Sequence, residues 1–406
     1  MVLQRHDHRG QTELRFTLAD VAYLSSDVGA AALAEVSGFA LSDASLLADV
    51  AAIRDRFADR AAVLVETTRL RRRAADKLAG IAEELPGWLF TDAALQQATS
   101  AAVARYRARR LGRVSVHDAT CSIGTELAAL LPVARDLLGS DVDEVRLAMA
   151  RHNLAGRVPL CRADALRPVS SDAVVLLDPS RRAGGRRRFD PRTYLPPLDQ
   201  LIDTYRERAT VIKCAPGIDF DAVRRLGFPG EIEVTSVAGS VREACLWSGA
   251  LAQPGVQRRA TLLTDGLTDG ETLTDLDPAD CAAGAPGRWI IDPDGAVVRA
   301  GLVRHYATRH GLWQLDPDIA YLTGDALPAG VRGLEVIEEI PLRESVLRQR
   351  LSQHDCGSLE ILVRGVDVDP DVLRRRLRPT GSRSLALVIT RIGRGAKARA
   401  SVFVCR

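Results

Sequence analysis

Four aspartates close short apolar runs: Asp118 after VSVH, Asp141 after LLGS, Asp164 after LCRA and Asp178 after AVVLL. An ionised carboxylate only accepts hydrogen bonds, and it can accept several, so such a series suits the hydroxyls and amines of a polar ligand. Between the first two lies Ala119–Thr125 (ATCSIGT), a loop whose one glycine is Gly124. After the fourth come Pro179 and Ser180, then a stretch with Arg181, Arg182, Arg186, Arg187, Arg188 and Arg192 around Gly184 and Gly185. A loop of that make-up can meet phosphates, giving affinity that is blind to sequence and weakened by salt. A solvated turn is the alternative, because the chain favours arginine throughout and its only lysines are Lys77, Lys213 and Lys397.

The elements that must position these groups read as alternating strands and helices. Val114–His117 is a strand leading into Asp118, and Glu126–Arg135 a helix. Leu137–Gly139 is a strand feeding Asp141, and Val145–Arg151 a second helix. A unit of this length runs its strands parallel with a right-handed crossover. Its first loop then lies at the carboxyl edge of the sheet, where doubly wound folds bind ligands. Taken alone it is either a nucleotide-binding crossover or one without a ligand; the G-x-G-x-x-G of dinucleotide sites is missing. Further strands follow over Pro159–Ala165 and Ala173–Leu177, the second apolar enough to be buried on both faces. Leu198–Arg206 reads as a helix, Thr210–Cys214 as a strand, and Glu231–Val237 with Arg242–Trp247 as a hairpin. Four acidic strand ends in this order separate the nucleotide reading from the bare crossover.

D-x-x-C-x-x-G-T over Asp118–Thr125, followed by Asp141, Asp164 and Asp178, resembles motifs I to IV of class I S-adenosylmethionine (SAM) methyltransferases. The resemblance implies that Gly124 lets the backbone approach the methionine end, and that Asp118 faces its amino group or a water. Asp141 would take the ribose hydroxyls and Asp164 the adenine amino group, with Thr120, Cys121, Val142 and Ala165 around the same cofactor. Thr120 and Ser122 stand where the family has glycines, which predicts a tighter loop or weaker binding. Leu95–Ser100 is similar in position and polarity to the helix called motif X, so Gln97 and Thr99 are expected to reach the cofactor; helix capping by Thr99 and Ser100 is the alternative. Asp178-Pro179-Ser180-Arg181 resembles the D/N-P-P-x signature of enzymes that methylate base amines. That likeness makes Asp178 and Pro179 candidate catalytic groups, and Lys213, one of only three lysines, is the third, on the strand Thr210–Cys214 where an ammonium is singled out. Arg181 would stack on a base where the family has an aromatic. Cys214-Ala-Pro216 is also similar to the S-C-N-P of uridine C5 methyltransferases, although a buried cysteine is the commoner fate.

The likeness extends over GWLFTDAALQQATS, CRADALRP, KCAPGIDFD, VREACLWSG and ILVRGVDVDP. It is to bacterial class I methyltransferases with an N-terminal helical region and a C-terminal THUMP-like domain. The expected fold is α/β: a Rossmann-like methyltransferase sheet with those two additions. The expected division is a helical region over 1–86, the methyltransferase domain over 87–252, a β-rich connection over 253–333 and an α+β THUMP-like domain over 334–406. The implied cofactor is SAM, and the implied partner is structured RNA, methylated on a tRNA or rRNA base. A protein or small-molecule acceptor stays open, as does an RNA-binding protein with a degenerate SAM site.

Composition bounds these readings. The 406 residues are 46% hydrophobic and 4% aromatic, enough for two or three domains whose cores rest on Leu, Val and Ala. No apolar run approaches the ~20 residues of a membrane span, and the N-terminal residues lack the apolar stretch of a signal peptide. Seven cysteines without a CxxC pattern argue against a disulfide framework or a metal site. A cytoplasmic protein is expected. Net charge is only +3, but residues 335–406 carry fourteen basic and nine acidic residues, a net of +5. Arg374–Arg378 lies on a predicted helix, and Arg391, Arg394, Lys397 and Arg399 line a predicted hairpin. The run Arg69–Arg73 (RLRRR) ends another predicted helix, as a solvated face or a nucleic-acid contact.

Overall fold

The computed structural model describes residues 14–406 apart from 82–86, 181, 184–185, 188–190, 265–269 and 396–397, and apart from the side chains of Asp76, Arg182, Ala183, Arg186, Arg187 and Pro191. The expected substrate contacts Arg181 and Arg188 therefore lie outside the described residues, as do the side chains of Arg182, Arg186 and Arg187. The chain divides into two compact units. One runs to Pro254 and takes back Leu262–Glu271; the other is Gly255–Thr261 with Thr272–Arg406.

The first unit begins with helices α1 (Leu18–Leu24), α2 (Asp27–Val36), α3 (Leu46–Phe57) and α4 (Ala61–Leu78). Thr17 and Asp20 close the reciprocal capping box that their spacing predicts, each side chain accepting the other's backbone N–H. Leu70, Ala74 and Leu78 of α4 recur every four residues and are buried with Leu89, Phe90, Leu127 and Met149. The helical region therefore shares one core with the loops and helices of the sheet. Helices α5 (Asp92–Gln97) and α6 (Ala101–Leu111) follow. Ala98, with an extended ψ of 135°, separates the two.

The sheet is built from β1 (Ser115–Asp118), α7 (Thr125–Leu130), β2 (Asp136–Asp141), α8 (Glu144–Asn153), β3 (Leu160–Arg162) and β4 (Val174–Leu177). Beyond the two-stranded ribbon β5 (Arg182–Ala183) and β6 (Arg186–Arg187) come α9 (Leu198–Thr204), β7 (Thr210–Cys214) and α10 (Phe220–Arg225). The hairpins β8 (Glu231–Val237)–β9 (Ser240–Trp247) and β10 (Arg258–Leu263)–β11 (Gly270–Thr274) complete it. Helix α7 stops short of the expected Arg135: Leu131 still has helical backbone, but Pro132 has no N–H to continue the ladder, and β3 stops two residues before Asp164. The nine strands lie in the order β11-β10-β8-β9-β7-β4-β1-β2-β3. The five strands from β3 to β7 are parallel, and β9 inserts antiparallel between β7 and β8. Strand order reverses between β1 and β4, so the carboxyl ends of these two strands flank the topological switch point.

The second unit carries a seven-stranded sheet in the order β13-β14-β12-β15-β18-β17-β16. Its elements are β12 (Trp289–Ile291), α11 (Gly295–Arg299), α12 (Val303–Arg309), β13 (Trp313–Gln314), β14 (Leu322–Gly324), β15 (Leu334–Pro341), α13 (Glu344–Gln353), β16 (Cys356–Arg364), α14 (Pro370–Leu377), β17 (Arg383–Ile392) and β18 (Arg399–Cys405). Along β17 the side chains alternate. Leu385, Leu387 and Ile389 face the core that includes Leu347, Leu351 and Leu377, while Ala386 and Val388 face Ile290, Leu315 and Tyr321. Among the described residues no helix is long and apolar enough to cross a membrane.

Candidate active site

A cavity of about 280 Å³ opens at the switch point, lined by Asp118, Thr120, Cys121, Ser122, Asp141, Val142, Asp164, Ala165, Asp178, Lys213 and Gln97 among others. That volume is at the lower edge of the ~300–1,000 Å³ typical of small-molecule sites. Ten of the thirteen residues expected at the donor or the chemistry are thus brought together. Gly124, Pro179 and Thr99 are the three that do not line it.

The loop after β1 accounts for its unusual residues. Thr120 turns its hydroxyl to accept the N–H of Asp178 at 2.6 Å, so the loop is pinned to the end of β4. Ser122 sits in the left-handed region at φ +50°, where a glycine would be unstrained, and its N–H donates to Asp141 Oδ2 at 2.9 Å. Asp143 N–H donates to Asp141 Oδ1, also at 2.9 Å. Both oxygens of Asp141 keep a second lone pair for a ligand hydroxyl. Gly124 caps α7 at φ +88°, and a Cβ there would stand 3.0 Å from Leu154 Cδ1. Its backbone conformation and the packing of α8 therefore both call for glycine.

Two further contacts set the walls. Asp164 is exposed at the rim and accepts the N–H of Leu166, and Tyr205 donates its hydroxyl to the Ala165 carbonyl at 2.6 Å. Asn153 of α8 exchanges two hydrogen bonds with the Leu89 backbone and donates a third to the Ile123 carbonyl. Neither Tyr205 nor Asn153 stood out in the sequence, because each acts on backbone distant along the chain.

Beneath the cavity runs a buried chain of charges. Lys213 Nζ lies 2.6 Å from Asp178 Oδ2 and 3.3 Å from Glu126 Oε1, and Arg107 bridges Glu126 and Glu243. Burial pulls the Lys213 ammonium down, but Asp178 and Glu126 outweigh it and hold it above the usual lysine range. Burial pushes Glu126 up, yet Arg107 and Lys213 hold it at about 2. Asp118, 2% exposed, is pushed up to about 8 by burial and by the nearby Glu126.

On α6 the basic segment Arg105–Arg110 (RYRARR) turns Arg107 and Arg110 inward, Arg107 onto Glu126 and Glu243 and Arg110 onto Glu231 and Glu233. A legible signal existed: two arginines three apart on α6, and two glutamates two apart on an otherwise apolar strand. Thr99 is buried without lining the cavity, and Ser100 makes no side-chain cap on α6, so capping does not explain them. Cys214 is buried with its thiol toward the Ile212 carbonyl, and it does not line the cavity.

Comparison with known proteins bears on this arrangement. Two uncharacterized S-adenosylmethionine-dependent methyltransferases of Mycobacterium tuberculosis, MT3122 of strain CDC 1551 / Oshkosh and Rv3037c of strain ATCC 25618 / H37Rv, are each 61% identical over 359 residues. The match covers 87% of this chain and 99% of theirs. The chain belongs to this family of SAM-dependent methyltransferases. Within the methyltransferase, residues 331–406 match the THUMP domain-like family and residues 17–74 a domain of unknown function, DUF8688. A solved candidate methyltransferase from Porphyromonas gingivalis W83 superposes with a TM-score of 0.66 at 21% identity, covering 85% of this chain and 90% of its own, which shows a shared fold.

The residues in the methyltransferase's cavity fit such a donor. Three carboxylates, Asp118, Asp141 and Asp164, offer acceptors for its amino and hydroxyl groups. Val142, 59% exposed between the second strand end and the rim, offers an apolar face to an aromatic base.

Proposed function

We propose that this methyltransferase modifies RNA, at an exocyclic amine of a tRNA or rRNA base, and acts in the cytoplasm. The observation that carries the acceptor side is Asp178. Its carboxylate lines the same cavity as Asp118 and Asp141, Lys213 fixes one of its oxygens, and a third of the side chain remains accessible. In this reading Asp141 holds the ribose, Asp164 the adenine amino group, Val142 and Ala165 the adenine faces, and Gln97, Thr120 and Cys121 the methionine end. Gly124 shapes the loop from behind.

SAM, when bound, supplies a methyl group on a sulfonium that an amine lone pair can attack in line. Asp178 accepts one amine N–H and so directs the lone pair toward that methyl. Lys213 keeps Asp178 in the orientation that does this. The carbon–nitrogen bond would form as the carbon–sulfur bond breaks, the thioether leaving as S-adenosylhomocysteine and the amine proton passing to solvent. Most of the acceleration then comes from positioning, which in well-oriented reactions supplies ~7–11 kcal/mol.

The RNA side is supported by the THUMP-like match and by charge. Arg375, Arg376 and Arg378 line a groove of about 550 Å³ in the second unit and form no ion pair among the described residues. The hairpin arginines contribute less, since Arg391 and Arg394 pair with Asp318 and Arg399 with Glu339; Lys397 lies outside the described residues.

The test is methyl transfer from labelled SAM to total RNA and, in parallel, to total protein and a metabolite extract. Label should enter RNA, and Asp178→Ala should reduce the rate by ~100-fold or more while SAM still binds, as expected of a positioning group. Label in protein or small molecules alone would replace RNA as the acceptor.

A further inference from the structure

The basic run of α4 reaches backbone and side-chain partners within the first unit even where its arginines are exposed. Arg71 donates to the carbonyls of Gly87 and Trp88, at 2.7 and 2.8 Å. Arg73 pairs with Asp92 at 2.6 Å, at the first turn of α5. Lys77, one turn further on α4, donates to the carbonyls of Leu95 and Gln96 at 2.7 and 3.0 Å, at the last turn of α5. Arg72 points elsewhere, to the carbonyls of Ser37, Phe39 and Ala40 between α2 and α3.

Three cations thus grip one segment along its length. Arg73 and Lys77 are four residues apart and share a helix face, and they hold opposite ends of α5. That helix and the residue after it place Ala94, Gln97 and Ala98 in the cavity wall. Lys77 caps terminal carbonyls that a helix cannot satisfy internally. The contact is held at a cost: burial, with the positive charges of Lys213, Arg73 and Arg242, pulls the Lys77 ammonium down to about 8. The apolar side agrees, since Leu70, Ala74 and Leu78 of α4 are buried with Trp88, Phe90, Ala94 and Leu95 in one cluster.

We propose that the N-terminal helical domain is an internal clamp: through Arg71, Arg73 and Lys77 it positions α5 as the wall of the methyl-donor pocket. The role of these residues is positioning, since none touches the cavity. The proposal rests on the assignment of the cavity to SAM. It gives the helices matched by the domain of unknown function a task within the methyltransferase, and it assigns Arg71 and Arg73 of the RLRRR run to an internal contact.

The experiment uses the full chain and SAM as the probe. By titration calorimetry, Lys77→Met and Arg73→Ala should each weaken SAM binding on the order of tenfold, the scale of coupling through one packed contact, and Lys77→Arg should recover most of the loss. Amide exchange over residues 92–98 should quicken while that of β1, β4 and β7 stays unchanged. Binding to bulk tRNA should not move. If Lys77→Met loses its fold, Arg73→Ala, at a half-exposed pair, reports on the same grip. The clamp is overturned if SAM affinity and exchange over 92–98 both match the wild type, or if only tRNA binding falls. An Asp141→Ala control separates the two ideas: unchanged SAM affinity there would move the donor site, while faster exchange over 92–98 in the clamp variants would still stand.

Discussion

Asp118 is where one side chain's chemistry becomes measurable. Its folded value of about 8 lies far above the ~3.9 of a free aspartate. The folded chain therefore keeps a proton between about pH 4 and 8 that the unfolded chain has lost. Its contribution to stability is present below pH 4 and declines as pH rises through 8. A cationic amino group placed beside it favours the ionised form, so ligand binding should release a proton. SAM affinity is expected to rise between pH 6 and 8, by at most ~10-fold per unit, and to level off above; Asp118→Asn should flatten that rise. A wild-type curve already flat from 6 to 8 would take Asp118 away from the methionine end. Asp118 was legible as a strand-end carboxylate, as were Asp141, Asp164 and Asp178. Their partners were not: the Thr120 bond to Asp178 joins residues 58 positions apart, and no local pattern carries it.

Among the elements, α6 shows how far composition can mislead. RYRARR reads as a basic surface, yet Arg107 is 2% exposed and ties α6 to α7 through Glu126 and to β9 through Glu243. Arg110 ties the same helix to β8 and lies over the Trp247 ring, 3.9 Å from its centroid. Removing one member of a buried ion cluster leaves the others unpaired, which typically costs ~3–5 kcal/mol. Arg107→Met should accordingly lower the urea midpoint by that much free energy. An unchanged midpoint would mean the cluster adds nothing net to stability. The strands and crossovers themselves were readable because apolar runs and their acidic ends repeat. The helix break at Ala98 depends on a single backbone turn, which composition hides, whereas Pro132 made the early stop of α7 legible.

For the molecule as a whole, charge is distributed rather than summed. Part of the net of +5 over residues 335–406 is met by acids outside that stretch, since Arg364 pairs with Asp292 and both Arg391 and Arg394 with Asp318. Among the described residues, Arg375 and Arg376 of α14 and Arg378 just after it form no ion pair and line one groove. Replacing Arg375, Arg376 and Arg378 by serine should weaken tRNA binding uniformly and reduce the salt slope by up to ~2–3, given roughly 0.7–0.9 per phosphate contact. An unaltered slope would place the RNA contacts elsewhere. The chain also passes between its two units three times, after Pro254, Thr261 and Glu271. Ala238 of the β8–β9 turn donates its N–H to Leu263 of β10, the strand that covers the outer edge of β8. A gene shortened at codon 254 would keep every residue of the cavity and still uncover that edge, an invitation to aggregate. The methyltransferase domain is therefore not a cassette that ends at Pro254: a recombinant that carries it must carry the β10–β11 hairpin as well.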